Sequence, residues 1–490
     1  MASIHRAFRA GLFLGVLTLG FPGLSAQALD LDWKGEFRGE TNTIYGYAHD
    51  ATAVSGYAVK NTNDSPANFQ NLFFSLRPRV LVNDNVSIHS NLWFNAPDSG
   101  FFGSNTTGNR TPTYHGAQSG TGAVTAREFF AEVATDFGTF RVGRVPLHYG
   151  LGLVWNSEGG LKSRLPSNGD AMTLSAKFGA LKLTPSFVKY QQATTVSSVG
   201  PGANGSTSAL QPLSGITDYS LGVSYSNDDE QLDLGLLFLR RLAGQNSGVV
   251  NPFFSRLYTD SPSTAGYAYN IWDFYVKKRS GIFTVAAEVP ITSGLVASQQ
   301  YSTVAGAVKA SAAVSDRWTL KTNFGSASGQ GNANQSKLTA FYFHPDYRPG
   351  FLMFNYNYQN IANGAGSYYD QPVTNARFFS FSGEYASGKF SHEFLTLFAF
   401  ADQVADGTNA FFNTQLGRFE TPGTGTIAAQ SKNLGFEIDY GLGYNWDEFT
   451  RFGLDTGLYI PGGYYDFNNT PTPGAHKSVF GTRLSMVVKF

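Results

Sequence analysis

Charged side chains recur inside otherwise apolar segments, where their types and spacing could do chemistry. In the segment FEIDYG, Glu437 and Asp439 alternate with Phe436, Ile438 and Tyr440. Rows of such side chains on one face can line a polar passage and select ions, or they can brace each other as ion pairs. For any single residue the ion pair is the simpler interpretation. Nine residues are our candidates for lining such a passage: Arg38, Arg77, Arg79, Arg127, Glu128, Arg144, Glu437, Asp439 and Asp455.

Catalytic and metal-binding patterns are weak. The chain has no Cys, which removes thiolate metal sites and Cys nucleophiles. Its His residues are scattered without metal-ligand spacing. The His-containing stretches HYGLG and HPDYR lack an evident nucleophile motif. We therefore predict no enzyme activity, no cofactor and no metal, with a membrane-embedded hydrolase as the less favoured alternative.

Composition indicates a surface that needs little charge. Only 14% of the 490 residues are charged, against about 25% in ordinary soluble domains, while the chain contains 55 Gly, 42 Phe and 25 Tyr. The formal net charge is zero, so nothing suggests nucleic acid as a partner. Beyond residue 28 the sequence contains no apolar run long enough for a membrane-spanning helix.

The N-terminus has the pattern of an export signal. A basic start, MASIHRAFRA, precedes the apolar run GLFLGVLTLGF, and Ala26 and Ala28 form a small-x-small cleavage site. We predict that residues 1–28 are a cleaved signal peptide and that residues 29–490 form the exported domain.

The exported region is dominated by period-two alternation, which positions the charged residues. In the closing stretch GTRLSMVVKF, Leu484, Met486, Val488 and Phe490 share one face, whereas Arg483 lies on the other. Successive side chains of a strand point to opposite faces, so each such segment has an apolar face and a polar face. Similar segments recur along the whole chain.

The connections between these segments alternate in length. Short polar turns, such as those at 83–85, 227–230 and 387–388, are separated by long stretches rich in Gly, Ser, Thr and Asn. The long stretches are 48–66, 98–122, 191–214, 241–265, 402–429 and 462–475. Short periplasmic turns and long extracellular loops are typical of outer-membrane barrels. We predict an all-β fold, a single transmembrane antiparallel up-and-down β-barrel in the outer membrane of a Gram-negative bacterium, with apolar side chains facing lipid.

Two pairs of motifs resemble a known family. TAREFFAEV followed by FRVGRVPLHYG, and LGFEIDYGLGYNW followed by GLDTGLYIPGGYYDF, are similar to paired strands of the alginate-export family of outer-membrane porins. RVPLHYGLGLVWN also resembles uncharacterised outer-membrane proteins of predatory bacteria and myxobacteria. The alginate-export resemblance implies a monomeric barrel of 18 strands that passes an anionic polysaccharide through an Arg-lined constriction. Counting every alternating segment gives 20 strands, including two around QSKLTAFYFHPDYRPGFLMFNYNYQ, a region that the family uses as a loop; we predict 18, with 20 as the alternative.

The resemblance carries over to five charged residues. Arg127 and Glu128 match the family's charged pair, Arg144 matches the second Arg of R-x-G-R, and Glu437 and Asp439 match the acids of G-x-E-x-D. Arg127 and Glu128 are neighbours, so a regular strand would point them to opposite faces unless a bulge intervenes.

Asp455 departs from the family, because it stands where the family has Arg. Since acids are about as numerous as bases among the candidates, we do not predict alginate as the solute. We predict a porin-like channel for passive diffusion of hydrophilic solutes, saccharides among them. A structural or adhesive barrel with a plugged lumen is the alternative.

The terminal Phe490 resembles the aromatic signal by which outer-membrane barrels are recognised for assembly. The expected partners are thus outer-membrane lipid, the barrel-assembly machinery through the C-terminal strand, and hydrophilic solutes. The oligomeric state stays open, with a monomer favoured by the family resemblance alone.

Overall fold

Alternating apolar and polar residues form long strands in this protein. A computed structural model describes residues 30–47, 66–94, 124–157, 163–190, 216–243, 267–296, 299–331, 337–358, 361, 368–369, 371–413, 418–472, 474 and 476–490. The predicted signal peptide, residues 1–28, lies outside this part of the chain. Of the predicted long connections, those at 48–66, 98–122, 191–214 and 241–265 lie almost wholly outside it.

The described residues contain 21 strands. They are β1 Asp30–Tyr45, β2 Ala67–Asn83, β3 Val86–Trp93, β4 Thr125–Thr135, β5 Gly138–Pro146, β6 Asn168–Phe178, β7 Leu181–Lys189, β8 Ile216–Asn227, β9 Leu232–Ala243, β10 Tyr267–Ser280, β11 Phe283–Val296, β12 Gln299–Ala313, β13 Trp318–Ala327, β14 Lys337–Leu338, β15 Ala376–Ser387, β16 Phe390–Ala401, β17 Phe411–Asn413, β18 Arg418–Glu420, β19 Asn433–Asn445, β20 Thr450–Pro461 and β21 Val479–Lys489.

Eighteen of these strands form one closed antiparallel barrel. Each barrel strand pairs with its neighbours along the chain, and β1 pairs with both β2 and β21, which closes the ring. The other three strands are short: β14 joins β12 in parallel over two residues, and β17 and β18 form a small hairpin within the connection between β16 and β19. The prediction of 18 strands is confirmed, and the alternative of 20 is wrong because residues 335–359 do not add two strands to the barrel.

The two faces of the barrel differ in character. On β10, Trp272 and Phe274 point outward and are exposed, whereas Tyr269, Ile271 and Asp273 point inward and are buried. The same alternation puts large apolar side chains on the outer face around the ring, including Phe187, Tyr219, Phe283, Ile291, Val304, Phe324, Phe381, Phe394, Phe398, Ile438, Phe452 and Leu484. The predicted apolar face of the closing stretch is therefore the outer face.

The connections separate the two ends of the barrel. Short turns join strand pairs such as β2 and β3, β4 and β5, and β19 and β20 at the end where Asp30 and Phe490 lie. Longer connections lie at the opposite end, with one exception, since β11 ends at Val296 and β12 begins at Gln299. Among the described residues, no helix has the length and apolar character needed to cross a membrane.

Two of the longer connections fold into the barrel. We call residues 147–167, between β5 and β6, the first inner segment, and residues 328–375, between β13 and β15, the second inner segment. They contact inward-facing side chains of strands all around the ring, including β1, β4, β11, β13 and β19. Their apolar side chains, among them Leu153, Phe343 and Leu352, are almost fully buried. The inner segments therefore occupy the middle of the lumen.

Candidate functional site

The candidate site is the barrel interior, and its first feature is a carboxylate anchor on β19. The Glu437 carboxylate accepts the backbone N–H groups of Phe351 and Leu352 at 2.7 and 2.6 Å, and that of Met353 at 2.6 Å. Asp439 accepts the Phe351 N–H as well, at 3.0 Å. Hydrogen bonds to an ionised acceptor are roughly twice as strong as neutral ones. Glu437 is fully buried by these contacts, so its carboxylate holds the second inner segment against the wall.

A second carboxylate anchors the first inner segment in the same manner. Glu288 on β11 accepts the backbone N–H groups of Leu151 and Leu153, the latter at 3.1 Å. Between them, Gly150 has φ +59°, and a Cβ at this position would collide with the Glu288 carboxylate. The Tyr149 hydroxyl adds a hydrogen bond to the backbone carbonyl of Asp273 at 3.2 Å. A glycine is thus required where the segment turns over Glu288.

Asp346 joins the two inner segments to each other. Its carboxylate accepts the backbone N–H groups of Arg164 and Leu165 at 3.0 and 2.9 Å, and the Ser163 hydroxyl at 2.8 Å. Arg348 forms an ion pair with it at 2.7 Å. Burial alone would raise the pKa of Asp346, but Arg348 and these donors outweigh burial and lower it. Asp346 is therefore held as a carboxylate.

Basic residues complete the attachment to the wall. Arg164, which is fully buried, pairs with Glu40 on β1 at 2.6 Å. Arg38 donates to the backbone carbonyl of Ser163 at 3.4 Å, and Arg127 on β4 donates to the carbonyl of Pro166. Arg38 and Arg127, both predicted to line the passage, do face the interior, where they hold the first inner segment.

A β-bulge explains how Arg127 and Glu128 can share a face. Asn91 on β3 pairs with Glu128, but the next residue, Leu92, pairs with Ala126, so Arg127 is the extra residue. The Arg127 guanidinium lies 5.0 Å from the centre of the Trp93 ring, and the Glu128 carboxylate accepts from the Asn91 amide at 3.0 Å.

Three more candidates lie on the inner wall nearer the short turns. Arg77 and Arg79 are exposed on the inner face of β2, beside Lys34 and Asp32 of β1 respectively. Asp455 on β20 is the register partner of Arg483 on β21 and forms an ion pair with it at 2.7 Å. The acid at 455 thus neutralises an inward-facing base of the neighbouring strand. The inward position of these residues agrees with the predicted alternation.

Arg144 requires a correction, because it lies on the outer face. It alternates with the buried, inward Val145 and is the register partner of Phe129, which is 57% exposed on the outer surface. Its guanidinium pairs with Asp170 of β6 through two hydrogen bonds, at 2.7 and 3.2 Å. Gly143, at φ +127°, is the inward residue beside it. The R-x-G-R motif did not reveal this orientation, although the alternation with Val142 and Phe140 did contain it.

A water-accessible cavity opens on the short-turn side of the inner segments. It measures about 360 Å³, and a smaller recess that shares Glu393, Asp455 and Arg483 with it continues to Arg348 and Phe351. The charged residues that line the larger cavity are Glu40, Asp316, Arg317, Glu384, Glu393, Arg451, Asp455 and Arg483. Our candidates included only Asp455 of this set. The signal that could have found the others is the register of inward positions across β15, β16, β19, β20 and β21.

The inner segments contain one Ser–His contact that bears on the hydrolase alternative. His344 Nε2 lies 2.9 Å from Ser167 Oγ, but Nδ1 accepts the backbone N–H of Asp346 instead of donating to a carboxylate. Ser167 Oγ also accepts the backbone N–H of Asn156 at 3.0 Å, and both His344 and Ser167 are about 1% exposed. A catalytic triad needs an oriented base and an accessible hydroxyl. This contact instead ties the inner segments together.

Comparisons with known proteins agree with the barrel architecture. No protein-family model matches the chain, and no curated protein matches it either. Three solved structures are similar to it. OpdK of Pseudomonas aeruginosa with vanillate has 12% identity and a TM-score of 0.48, covering 94% of this chain and 98% of that one. OccK2 of the same organism in complex with glucuronate has 11% identity, a TM-score of 0.48 and the same coverage. A loop L8 deletion mutant of OmpT, an outer-membrane protein of Vibrio cholerae, has 10% identity and a TM-score of 0.40, covering 94% and 100%. The resemblance to the alginate-export family stays a prediction.

Proposed function

We propose that this protein is an outer-membrane channel through which small hydrophilic solutes diffuse passively. The observation that carries the proposal is the cavity of about 360 Å³ inside a closed barrel, lined by charged residues and leading to the recess at Arg348. A barrel of this width leaves an aqueous lumen unless something folds in. The two inner segments are what narrows it here.

The lipid-facing surface supports the proposed location. Hydrocarbon offers no hydrogen-bond partners, so a strand can cross a bilayer only if every backbone group is paired, as a closed ring allows. The outer face carries Phe, Leu, Ile and Val, with Trp446 and Phe449 exposed at the short-turn end, where aromatic girdles are expected.

Phe490 is proposed as the recognition point for the assembly machinery. Its ring is 52% exposed on the outer face, and its backbone exchanges hydrogen bonds with Gly35 of β1 at 2.7 and 3.1 Å. The proposal rests on the aromatic C-terminal residue and this accessible position.

The interior supports a solute that is small and hydrophilic more than a long polyanion. Predicted lining residues Glu437, Asp439, Arg38 and Arg127 are occupied by the inner segments. What faces the cavity is a mixture of five carboxylates and three guanidinium groups. Saccharides and other polar metabolites of similar size are the solutes we propose.

Reconstitution of the mature chain in planar bilayers tests this function. We expect discrete single-channel conductance steps, and swelling of protein-loaded liposomes in isotonic monosaccharide. Protein denatured before reconstitution is the control and should give neither. A correctly folded, heat-modifiable barrel that gives no conductance and no swelling would instead support the structural or adhesive barrel with a plugged lumen.

A further inference from the structure

The cavity at the short-turn end has a row of carboxylates on one wall. Glu384 of β15 is the register partner of Glu393 of β16, Glu393 pairs with Gly441, and Gly441 pairs with Asp455. Like charges placed directly opposite on neighbouring strands are destabilising. Lys321 relieves Glu384, and Arg483 relieves Asp455. The row as a whole still favours an added positive charge.

Inward-facing glycines open space beside this row. A Cβ at Gly441 would lie 3.3 Å from Asp455 Oδ1 and 3.9 Å from Glu393 Oε2. A Cβ at Gly443, the next inward position toward the turn, would collide with the Arg451 guanidinium. The missing side chains thus let the carboxylates and Arg451 approach the β19 backbone and leave the cavity in front of them.

Arg451 supplies a positive group next to the carboxylate row. Its guanidinium donates to Ser391 Oγ at 2.8 Å and to the Asn445 side-chain oxygen at 3.4 Å. Within the described residues it has no carboxylate within ion-pair distance. Arg317, at the turn before β13, lines the same cavity. Positions two apart on a strand are separated by about 6.6 Å, which sets the scale between the carboxylate row and Arg451.

We propose that this cavity is a binding subsite for small dipolar solutes that carry an amine and a carboxylate. The amine binds at Glu384 and Glu393, and the carboxylate binds at Arg451, where a guanidinium can hold it through paired hydrogen bonds. A cavity of about 360 Å³ lies within the size range of small-molecule sites. This inference rests on the proposed channel function, because the subsite lies on the solute's path.

Binding of 4-aminobutanoate, compared with butylamine and butanoate, tests the subsite. We expect calorimetry on the detergent-solubilised barrel to show 4-aminobutanoate binding at least tenfold more tightly than either singly charged analogue. Loss of one charge-assisted contact corresponds to about a tenfold change in affinity. Arg451→Gln and Glu393→Gln should each therefore weaken 4-aminobutanoate binding about tenfold. Lys182→Gln, on the inner face of β7 outside the cavity, is the matched control and should bind normally.

Conductance separates the two proposals. If 4-aminobutanoate binds as expected but the reconstituted protein does not conduct, the channel function fails and the subsite stands. If the protein conducts but the three probes bind equally, or if Arg451→Gln binds like the parent, the subsite is overturned. Heat-modifiable migration of each variant on gels shows that its barrel has folded, so a loss of binding cannot be attributed to misfolding.

Discussion

Individual carboxylates in this barrel position backbone segments more often than they face solute. Glu437 and Glu288 each collect N–H groups from a turn of an inner segment, and Asp346 does the same between the segments. A single carboxylate can satisfy several donors that would otherwise be buried without partners, which is costly in a dry interior. The position of each inner segment therefore depends on very few side chains.

Replacement of Glu437 should release the second inner segment. Glu437→Gln keeps the shape but replaces an ionised acceptor of three N–H bonds by a neutral amide, with an expected loss on the order of 2 to 3 kcal/mol. We expect larger current fluctuations in bilayers and a lower urea midpoint for unfolding. Glu132→Gln is the control, since Glu132 pairs with the exposed Arg141 and a surface pair contributes little. Identical current noise in both variants would contradict the anchoring role.

Inward and outward bases should affect ion selectivity differently. Replacing Arg77 and Arg79 together by Glu reverses charge on the inner wall, so the reversal potential in a salt gradient should shift toward cations. Arg144→Glu, on the outer face, should leave the reversal potential unchanged, although it breaks the pair with Asp170. A shift with Arg144→Glu equal to that of the double variant would place Arg144 in the conducting path.

His344 makes the docking of the inner segments depend on pH. Burial lowers its pKa to about 4, below the value of about 6.5 for an exposed imidazole. The undocked state binds more protons between these two values, so docking is strongest above about pH 6.5 and weakens as the pH falls toward 4. The loss is on the order of 3 kcal/mol at most. Thermal unfolding at pH 7 and pH 4.5 should differ less in His344→Gln than in the parent; an unchanged difference would argue against His344.

At the scale of elements, the seam between β1 and β21 depends on a small residue facing a large one. A Cβ at Gly35 would collide with the Phe490 ring, which also lies against Phe74 with centroids 6.3 Å apart. The terminal aromatic is thus accommodated by a glycine on the first strand.

Gly35→Val should therefore impair closure of the barrel. We expect a smaller fraction of heat-modifiable, folded protein after refolding into detergent micelles, because the valine side chain and the Phe490 ring need the same space. Gly222→Val on β8 is the control, since the nearest side-chain atom to a Cβ there, on Thr184, is 3.6 Å away. Adding Phe490→Ala should restore the folded fraction of Gly35→Val; failure to restore it would show that the defect lies elsewhere.

The strands were predictable from the sequence to a much greater degree than the inner segments. Alternation such as that of Leu484, Met486 and Phe490 reports which residues touch lipid, because one face of each strand has a single uniform environment. Residues 335–359 alternate as well, but their apolar side chains pack inside the lumen against other chain segments. Period two alone cannot distinguish these environments, which is why a count of 20 strands remained open.

The candidate site was predictable in part for the same reason. Alternation correctly placed Arg38, Arg79 and Asp455 on the inner face, but a sequence gives no measure of distance across a lumen. Partners such as Glu40 and Arg164 lie 124 residues apart in the chain. The bulge at Arg127 also breaks the period locally, and no turn residue announces it.

At the scale of the whole molecule, the inner segments determine the width of the passage. Ala327 and Ala376 are register partners at the ends of β13 and β15. A short hairpin turn can therefore replace the second inner segment without disturbing the barrel. The resulting variant should conduct several-fold more current per channel than the parent; equal conductance with the barrel intact would show that the second inner segment does not limit flow.

The pairing of β1 with β21 also constrains how this molecule can be made. Glu36 and Lys489 are register partners at opposite ends of the polypeptide, so the edges of the sheet stay unsatisfied until synthesis and export of the whole chain are finished. Unpaired strand edges invite intermolecular association. Newly exported copies consequently need chaperones to shield them on the way to the bilayer, and a ribosome that stops early yields a product fit only for degradation.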